Sequence, residues 1–397
     1  MRLLPMIPLL LAVPLHAAQP PRQSEADGYT RYELLAPESG KFRILYEISA
    51  TAPGATYYFN PIRPGSVATD ERVTDRATGE PLRWEVVGGK VAAAGGVEGA
   101  EDGSQYIRVT LARPVPAGGG EARLLIDKTY QDAKSYYRDG EAIMFDRSLG
   151  VKRNAVVLPR GYELVSSNYP AQVLQEADGR LAVSFWNVTP AAAPLLIRAR
   201  PARGLGIPAA PAVEERARQS REIVYYLNAP ATGSFALTHD YTETRPGTAR
   251  YVNVVRAGSK VAAPSARNLD TGEELRWEMV RGADVLKVEP EAGEVGPDTE
   301  AVVFHFAPVA AGRSTRLRIA ETYTDPASYK LLPDGSLSWE RALGRADNAV
   351  VLPAGWMLTG CNMPCTVSQA EGGRVRLDFL NPRPDQLAVK LTARPRL

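Results

Sequence analysis

The feature that most constrains the fold of this chain is that the sequence repeats itself. Residues 78–85 read TGEPLRWE, and residues 271–278, which lie 193 positions later, read TGEELRWE. The string NAVVLP occupies residues 154–159 and again residues 348–353, at a shift of 194. A shift that changes by a single residue indicates two copies of one folding unit. Any fold class assigned to the first copy therefore applies to the second.

The matching positions define the boundaries of the two copies. Repeat 1 covers residues 29–201 and repeat 2 covers residues 223–397. Residues 202–222 form a linker that is rich in Pro and Ala and contains a charged, helix-compatible stretch. A chain of 397 residues exceeds what one hydrophobic core usually serves, which agrees with two domains.

Within each repeat, apolar residues recur at every second position. Phe42 and Tyr46 share one face of such a run, and Phe235 and His239 are their counterparts in repeat 2. Turns that contain Gly and Pro separate these runs, and no helical pattern recurs in both repeats. The sequence predicts an all-β protein with two tandem, duplicated antiparallel β-sandwich domains.

The first residues read as an export signal. Residues 1–17 contain one positive charge at Arg2, an apolar stretch and then small residues, and cleavage falls next to Ala17 or Ala18. We expect the mature protein to be periplasmic or extracellular. No later stretch has the length of a membrane span, so no integral membrane segment is expected after signal cleavage.

Composition and motifs exclude several function classes. The chain has 47 Lys and Arg against 45 Asp and Glu, which lacks the basic excess of a nucleic-acid binder. It contains neither a G-x-S-x-G elbow, nor a phosphate-binding Gly-rich loop, nor an H-E-x-x-H motif. We therefore predict no catalytic residue, no cofactor and no metal site. We expect His239 in the core or in a cross-strand contact, and His305 at the surface.

One motif that both repeats share contains aromatic and charged residues and has two interpretations. It could form a cleft that grips a glycan or an extended peptide, or a strand-end corner in which a Tyr hydroxyl bonds the backbone and Asp pairs with Arg. Conserved corners of this kind in β-sandwiches favour the structural interpretation. The candidate ligand contacts are Tyr136, Arg147, Tyr329, Trp339, Arg341 and Trp356.

Two further residue pairs carry structural predictions. Trp84 and Trp277 occupy matching positions, and we expect both to face the cores. Cys361 and Cys365 both lie in repeat 2, and repeat 1 has Ser167 in place of the first. A cysteine pair in an exported protein favours a local disulfide, whereas a redox or a metal role lacks the usual spacing and partners.

A short stretch of repeat 1 resembles a known family. Residues 158–170, LPRGYELVSSNYP, and the turn at residues 114–118 resemble the end of the N-terminal β-domain of M1-family metallopeptidases. That domain carries no catalytic residues, and the zinc motif of the family is missing from this chain. The resemblance implies a non-catalytic β scaffold.

These observations leave three function classes. The first is an exported, non-enzymatic binding or assembly module that holds a protein or an extended peptide at edge strands or in the crevice between the repeats. The second binds a carbohydrate or an envelope polymer through the exposed aromatic residues Tyr136, Trp339 and Trp356. The third is a hydrolase with a carboxylate pair.

Overall fold

A computed structural model describes residues 20–189, 191–204 and 213–396. The predicted signal at residues 1–17 lies outside the described residues, as does part of the linker. No helix within the described ranges is long and apolar enough to cross a membrane.

The described chain is almost entirely β-structure, which confirms the predicted fold class. Short helices α1 (Gly89–Ala94) and α2 (Asp284–Val288) occupy matching loops of the two repeats. The strands of repeat 1 are β1 (Glu25–Leu34), β2 (Lys41–Ala50), β3 (Tyr57–Ile62), β4 (Val67–Asp75), β5 (Trp84–Gly88), β6 (Gln105–Thr110), β7 (Ala122–Gln131), β8 (Tyr136–Asp139), β9 (Ala142–Leu149), β10 (Arg153–Val157), β11 (Tyr162–Ser167), β12 (Gln172–Gln175), β13 (Leu181–Trp186) and β14 (Ala193–Pro201).

Repeat 2 contains the same number of strands in the described chain. They are β15 (Arg221–Leu227), β16 (Ser234–Glu243), β17 (Arg250–Val254), β18 (Lys260–Asn268), β19 (Trp277–Arg281), β20 (Glu300–His305), β21 (Thr315–Thr324), β22 (Tyr329–Leu331), β23 (Leu337–Leu343), β24 (Asp347–Val351), β25 (Trp356–Cys361), β26 (Thr366–Gln369), β27 (Val375–Leu380) and β28 (Leu387–Pro395).

Each repeat builds three sheets in the same strand order. In repeat 1 a seven-stranded sheet runs β12-β13-β10-β1-β2-β7-β4, a four-stranded sheet runs β11-β14-β9-β8, and a three-stranded sheet runs β3-β6-β5. The sheets of repeat 2 follow the same order with the matching strands. Pairing is antiparallel except between β1 and β10 and between β15 and β24, which are parallel. The two repeats are therefore two similar sets of sheets.

Each repeat has its own hydrophobic core. Phe42, Tyr130 and Phe145 lie in the core of repeat 1, and Phe235 and Trp339 lie in the core of repeat 2. Inward-facing residues of the seven-stranded sheet meet those of the smaller sheets, because a period of two places alternate side chains on one face.

Trp84 and Trp277 lie on the strand faces that were expected to face the cores, but neither residue is buried. Their rings are 36% and 43% exposed. Trp84 lies directly opposite Val109, and Trp277 lies opposite Phe304, and both of these partners are fully buried. The tryptophans thus point to the core face, but β5 and β19 are edge strands of their sheets, so half of each ring's surroundings is solvent.

Buried polar contacts join the two repeats. The Arg123 guanidinium donates to both carboxylate oxygens of Asp270, at 2.6 and 2.8 Å, and both side chains are almost fully buried. The Lys152 ammonium lies 2.6 Å from a carboxylate oxygen of Asp347. The repeats therefore meet at a charged interface, which differs from the apolar interior of each domain.

The described part of the linker belongs to this interface. Residues 216–218 form a turn, and no helix is found between residue 213 and the start of β15. Arg216 is buried and donates to the carbonyl oxygens of Asn381 and Gly344 in repeat 2. Ala217 is fully buried. The hydrogen bonds of Arg216 thus hold the described part of the linker against repeat 2.

Candidate functional site

The shared aromatic motif forms a structural corner in both repeats. The Tyr136 hydroxyl donates to the carbonyl oxygen of Leu35 at 3.0 Å, and the Tyr329 hydroxyl donates to that of Asn228 at 2.6 Å. Both rings are fully buried. The hydroxyl of a buried Tyr needs such a partner, so these residues fix the ends of strands.

Charged partners complete each corner. Arg147 donates to Asp132 at 2.9 Å, and Arg341 lies 3.6 Å from Asp325. The Arg147 guanidinium also lies 5.3 Å from the centre of the Phe42 ring. These contacts match the structural interpretation of the motif.

The exposure that the sequence predicted for Tyr136 and Trp339 is wrong. Trp339 is fully buried, and its ring packs against Tyr225 in the core of repeat 2. Trp356 is partly buried and packs against the same core. The rings of Tyr136 and Trp339 therefore present no platform to a ligand. Of the six candidate contacts, only Arg147 lines the cavity described below.

A cavity of about 700 Å³ is lined mainly by residues of repeat 1, and residues of the linker and of repeat 2 complete its wall. All three sheets of repeat 1 contribute to its wall. At its inner end the wall includes four tyrosines, one asparagine and one lysine, namely Tyr32, Tyr46, Tyr58, Tyr130, Asn60 and Lys128. Its outer end lies at the junction of the repeats and is lined by Asp27, Lys152, Arg153, Glu222, Arg316 and Asp347, among others.

Lys128 is the most unusual residue of the inner end. It lies on β7, where the period of two directs it inward with Ile126 and Tyr130, and only 4% of it is exposed. Its ammonium donates to Oδ1 of Asn60 and lies 4.8 Å from the centre of the Tyr130 ring. In the described chain no carboxylate forms an ion pair with it.

The surroundings of Lys128 favour the neutral amine. Burial lowers the pKa of Lys128 to about 7, the charge of Glu71 opposes this shift, and the charge of Arg147 adds to it. A buried ammonium without a carboxylate is costly, and the group loses its proton more readily as a result. At neutral pH the cavity therefore holds an amine that is part protonated and part neutral.

The tyrosines of the cavity remain hydrogen-bond donors. Burial raises the pKa of Tyr58 well above its usual value, and the Tyr58 hydroxyl donates to Glu25 at 2.6 Å. Burial also raises the pKa values of Tyr46 and Tyr130. The phenols stay protonated across the physiological range, although the Tyr58 proton is already donated to Glu25, which also lines the cavity.

At the outer end, the charges compensate one another. Asp27 accepts from Arg153 at 2.6 Å and from the hydroxyl of Ser220, and it lies 3.5 Å from Arg316. Burial alone would raise the pKa of Asp27, but Arg153 and Arg316 hold it below its usual value. Asp27 also has a φ of 55°, a left-handed conformation that non-Gly residues seldom adopt. This network fixes the mouth of the cavity rather than offering free charge.

The equivalent position in repeat 2 carries the opposite charge. Glu321 occupies the place of Lys128 and accepts a hydrogen bond from Asn253, the counterpart of Asn60. Burial raises the pKa of Glu321 to about 7, although the hydrogen bonds from Asn253 and Tyr323 oppose the shift. The two repeats thus keep the amide at this point and exchange the ionisable group.

The two histidines of the described chain lie in different settings. His239 is 3% exposed, and its Nδ1 lies 3.2 Å from the Tyr251 hydroxyl. Burial and nearby arginines lower the pKa of His239 well below its usual value, so the ring is neutral. His305 is partly exposed, with Nε2 2.9 Å from Glu278. No group of three or more His, Cys, Asp or Glu in the described ranges could hold a metal ion.

The disulfide predicted between Cys361 and Cys365 is not formed, and both residues are free thiols. Cys361 Sγ donates to the carbonyl oxygen of Met363 at 3.3 Å. Asn362 holds the same loop to β28, because its side chain donates to Ala388 O and accepts from Lys390 N.

In repeat 1 the matching loop is held in the same way. Asn168 donates to the carbonyl oxygen of Pro194 at 2.7 Å and accepts from the Leu196 amide at 2.7 Å. These hydrogen bonds define the loop without a covalent bridge, which is why a turn of this shape does not need the disulfide.

Sequence reasoning missed Lys128 and Glu321. The signal was present in the strand pattern, since 124, 126, 128 and 130 are the inward positions of β7 and a lysine occupies one of them. A charged residue at an inward position of a strand is unusual and points to a partner or a cavity. The partner, Asn60, lies on β3, which is distant in sequence.

Comparisons with known proteins give a weak likeness and no family. No protein-family model matches the chain, and no curated protein sequence matches it at a significant level. Among solved structures, the M1 zinc metallopeptidase from Deinococcus radiodurans is similar with a TM-score of 0.29 and 12% identity, over 44% of this chain and 41% of that chain. An aminopeptidase N family protein from Idiomarina loihiensis is similar with a TM-score of 0.24 and 11% identity, over 40% of this chain and 29% of that chain.

This chain spans less than half the length of the structures that it matches. The structural resemblance to M1 metallopeptidases is weak and partial. A likeness at this level says nothing about activity.

Proposed function

We propose that this chain is an exported, non-enzymatic binding protein that holds a small organic anion in the crevice between the repeats, within the cavity of repeat 1. The observation that carries this proposal is Lys128, a buried amine that faces about 700 Å³ of open space and has only an amide as its hydrogen-bonded partner. An anionic group would supply the missing charge and would be bound by a desolvated cation.

The rest of the inner wall supports the same ligand chemistry. The hydroxyls of Tyr46 and Tyr130 remain protonated, and Arg63 adds a cation to the wall of the cavity. Ligand sites commonly combine aromatic walls with a few polar groups that converge on one point. The size of the cavity fits a metabolite-sized molecule better than a folded protein or a long peptide.

The carbohydrate alternative loses its main support. It depended on exposed rings at Tyr136, Trp339 and Trp356, of which the first two are fully buried and the third is partly buried. For the hydrolase alternative, no observation marks a particular carboxylate pair. Export is supported by the charged and then apolar order of residues 1–17, and fractionation of cells that express the chain with and without this segment tests it.

Binding can be tested by calorimetry and thermal shift with a panel of small carboxylates and phosphate esters, with neutral sugars as the comparison class. We expect one or more of the anions to raise the melting temperature of the wild type. Lys128→Met should weaken that binding at least tenfold, because the anion loses its buried cation. Lys41→Met is the matched control, since Lys41 is exposed on β2 outside the cavity. Equal binding by Lys128→Met, or binding of neutral sugars alone, would overturn the proposal.

A further inference from the structure

Unlike several other cations around the cavity, Lys128 has no carboxylate partner in the described chain. Lys152 is paired with Asp347, and Arg153 is paired with Asp27. Lys128 has its hydrogen bond to Asn60, and the amide cannot take its proton. An amine that is enclosed, held in place and open to a cavity on one side has the geometry of a nucleophile.

We propose that the Nζ amine of Lys128 forms a Schiff base with the carbonyl group of a small oxo acid, an inference that rests on the proposed function. Asn60 holds the amine in position, and the cavity provides room for the carbonyl carbon to approach. The ligand class follows from the two functions that the wall offers, an amine for a carbonyl group and cations for a carboxylate.

Two neighbouring charges strengthen this assignment. Arg147 lies close enough to Lys128 to disfavour its protonated form, and a second cation is a known means of activating a lysine amine. Arg63 lines the same cavity and forms no ion pair within the described ranges, so its guanidinium is free for the carboxylate of an oxo acid.

The reaction is balanced without an oxidant or a reductant. The amine nitrogen attacks the carbonyl carbon and forms a C–N bond, which gives a carbinolamine. The carbonyl oxygen then leaves as one molecule of water with the two protons that the nitrogen loses, and a C=N bond remains. Hydrolysis reverses both steps, so the protein holds and releases its ligand without altering it.

The test uses purified full-length protein with pyruvate as the probe and sodium cyanoborohydride as the trap. Reduction of the Schiff base increases the mass of the protein by that of pyruvic acid less one oxygen atom, and peptide mapping locates the modified lysine. We expect at least a tenfold preference for Lys128 over every exposed lysine near neutral pH. Lys128→Arg should abolish this adduct and keep the fold, whereas Lys41→Arg should leave it unchanged.

L-Lactate separates this inference from the proposed function, since it has the carboxylate but no carbonyl group. Calorimetric binding of pyruvate without an adduct would overturn the Schiff base and leave the binding function standing. Failure of both acids, and of the wider anion panel, to bind would overturn both. Adducts spread evenly over exposed lysines would also overturn the inference. This measurement needs only the wild type, so it remains decisive even if a Lys128 variant does not fold.

Discussion

At the scale of single residues, the exchange between Lys128 and Glu321 is the clearest difference between the repeats. Both side chains are buried, both face an Asn at the equivalent position, and the pKa of each lies at about 7. The two groups reach this value from opposite sides, because burial disfavours the charged form of either one. Their effects on stability therefore run in opposite directions with pH.

For Lys128, the folded chain binds fewer protons than the unfolded chain between pH 7 and the usual lysine range. The contribution of Lys128 to the free energy of unfolding therefore becomes more favourable by about 3 kcal/mol as the pH increases from roughly 6 to 9. Lys128→Met removes that contribution. We expect the variant to exceed the wild type in free energy of unfolding by the largest amount at the acidic end of this range. Urea unfolding across the range measures the difference.

Glu321 provides the matched comparison. Its folded form binds more protons than the unfolded form between the usual Glu range and pH 7, so stability falls by about 2 kcal/mol as the pH rises from roughly 5 to 8. Glu321→Gln should thus exceed the wild type in free energy of unfolding by the largest amount at the basic end. If the difference from the wild type changed with pH in the same direction for both variants, the burial of one or both groups would be contradicted.

The thiols of repeat 2 allow a second prediction at this scale. Burial, together with the neighbouring Cys361, raises the pKa of Cys365 to about 11. Because the thiolate is the nucleophile, we expect iodoacetamide at about pH 8 to modify Cys365 at least tenfold more slowly than an ordinary exposed thiol. Mass spectrometry after timed alkylation measures this rate.

Cys361→Ser serves as the control, since it removes one cause of the shift and should speed the alkylation of Cys365. Alkylation that requires prior reduction of the protein would instead show that the pair is oxidised, in line with the disulfide that the sequence predicted.

At the scale of elements, the edge strands explain the positions of Trp84 and Trp277. Each ring lies on the core face of a three-stranded sheet, opposite a fully buried residue of the central strand. A central strand has neighbours on both sides, whereas an edge strand leaves its inward side chains open along one flank. The alternating pattern therefore predicts the face correctly but not the degree of burial.

Truncation of these tryptophans measures how much of each ring is buried. Trp84→Ala and Trp277→Ala should each cost about 1–2 kcal/mol of unfolding free energy, which is less than a fully buried ring would cost. Trp339→Ala is the comparison, because its ring is fully buried and its loss should cost about 3–5 kcal/mol. Equal losses in urea unfolding for Trp84→Ala and Trp339→Ala would contradict this assignment.

At the scale of the whole molecule, the interface decides whether the repeats act as independent domains. Arg123 and Asp270 form a bidentate ion pair across it, and both are withdrawn from water. Removing one partner of a buried pair leaves an uncompensated charge, which is far more costly than the loss of an exposed pair. Residues of this interface also line the cavity, so the ligand binding proposed above would depend on the interface as well.

We expect the repeats to stay associated when the linker is cut. A protease site placed within residues 205–212 tests this by size-exclusion chromatography after cleavage, where the two fragments should elute together. Arg123→Met should weaken the association by about 3–5 kcal/mol because Asp270 is left buried and unpaired. Glu85→Gln, which removes the exposed pair with Arg108, is the control and should have no effect. Separation of the wild-type fragments would show instead that the repeats are independent.

The sequence by itself determined the all-β class and the division into two similar units, and it favoured, without deciding, the structural interpretation of the Tyr136 and Tyr329 corners. These properties follow from local pattern, that is, a period of two, turn residues and a duplicated string. The parallel pairs β1–β10 and β15–β24 do not follow from local pattern, because they join strands more than a hundred residues apart.

Only the tertiary structure decided where each residue lies within the core, at an edge or in a cavity. Trp339 is fully buried and Trp84 is not, although both belong to similar strand patterns. Lys128 becomes distinctive only when β3 places Asn60 beside it and three sheets leave a cavity in front of it. Burial and electrostatics depend on neighbours that are distant in sequence, and for this reason the candidate site could be located only after the chain was folded.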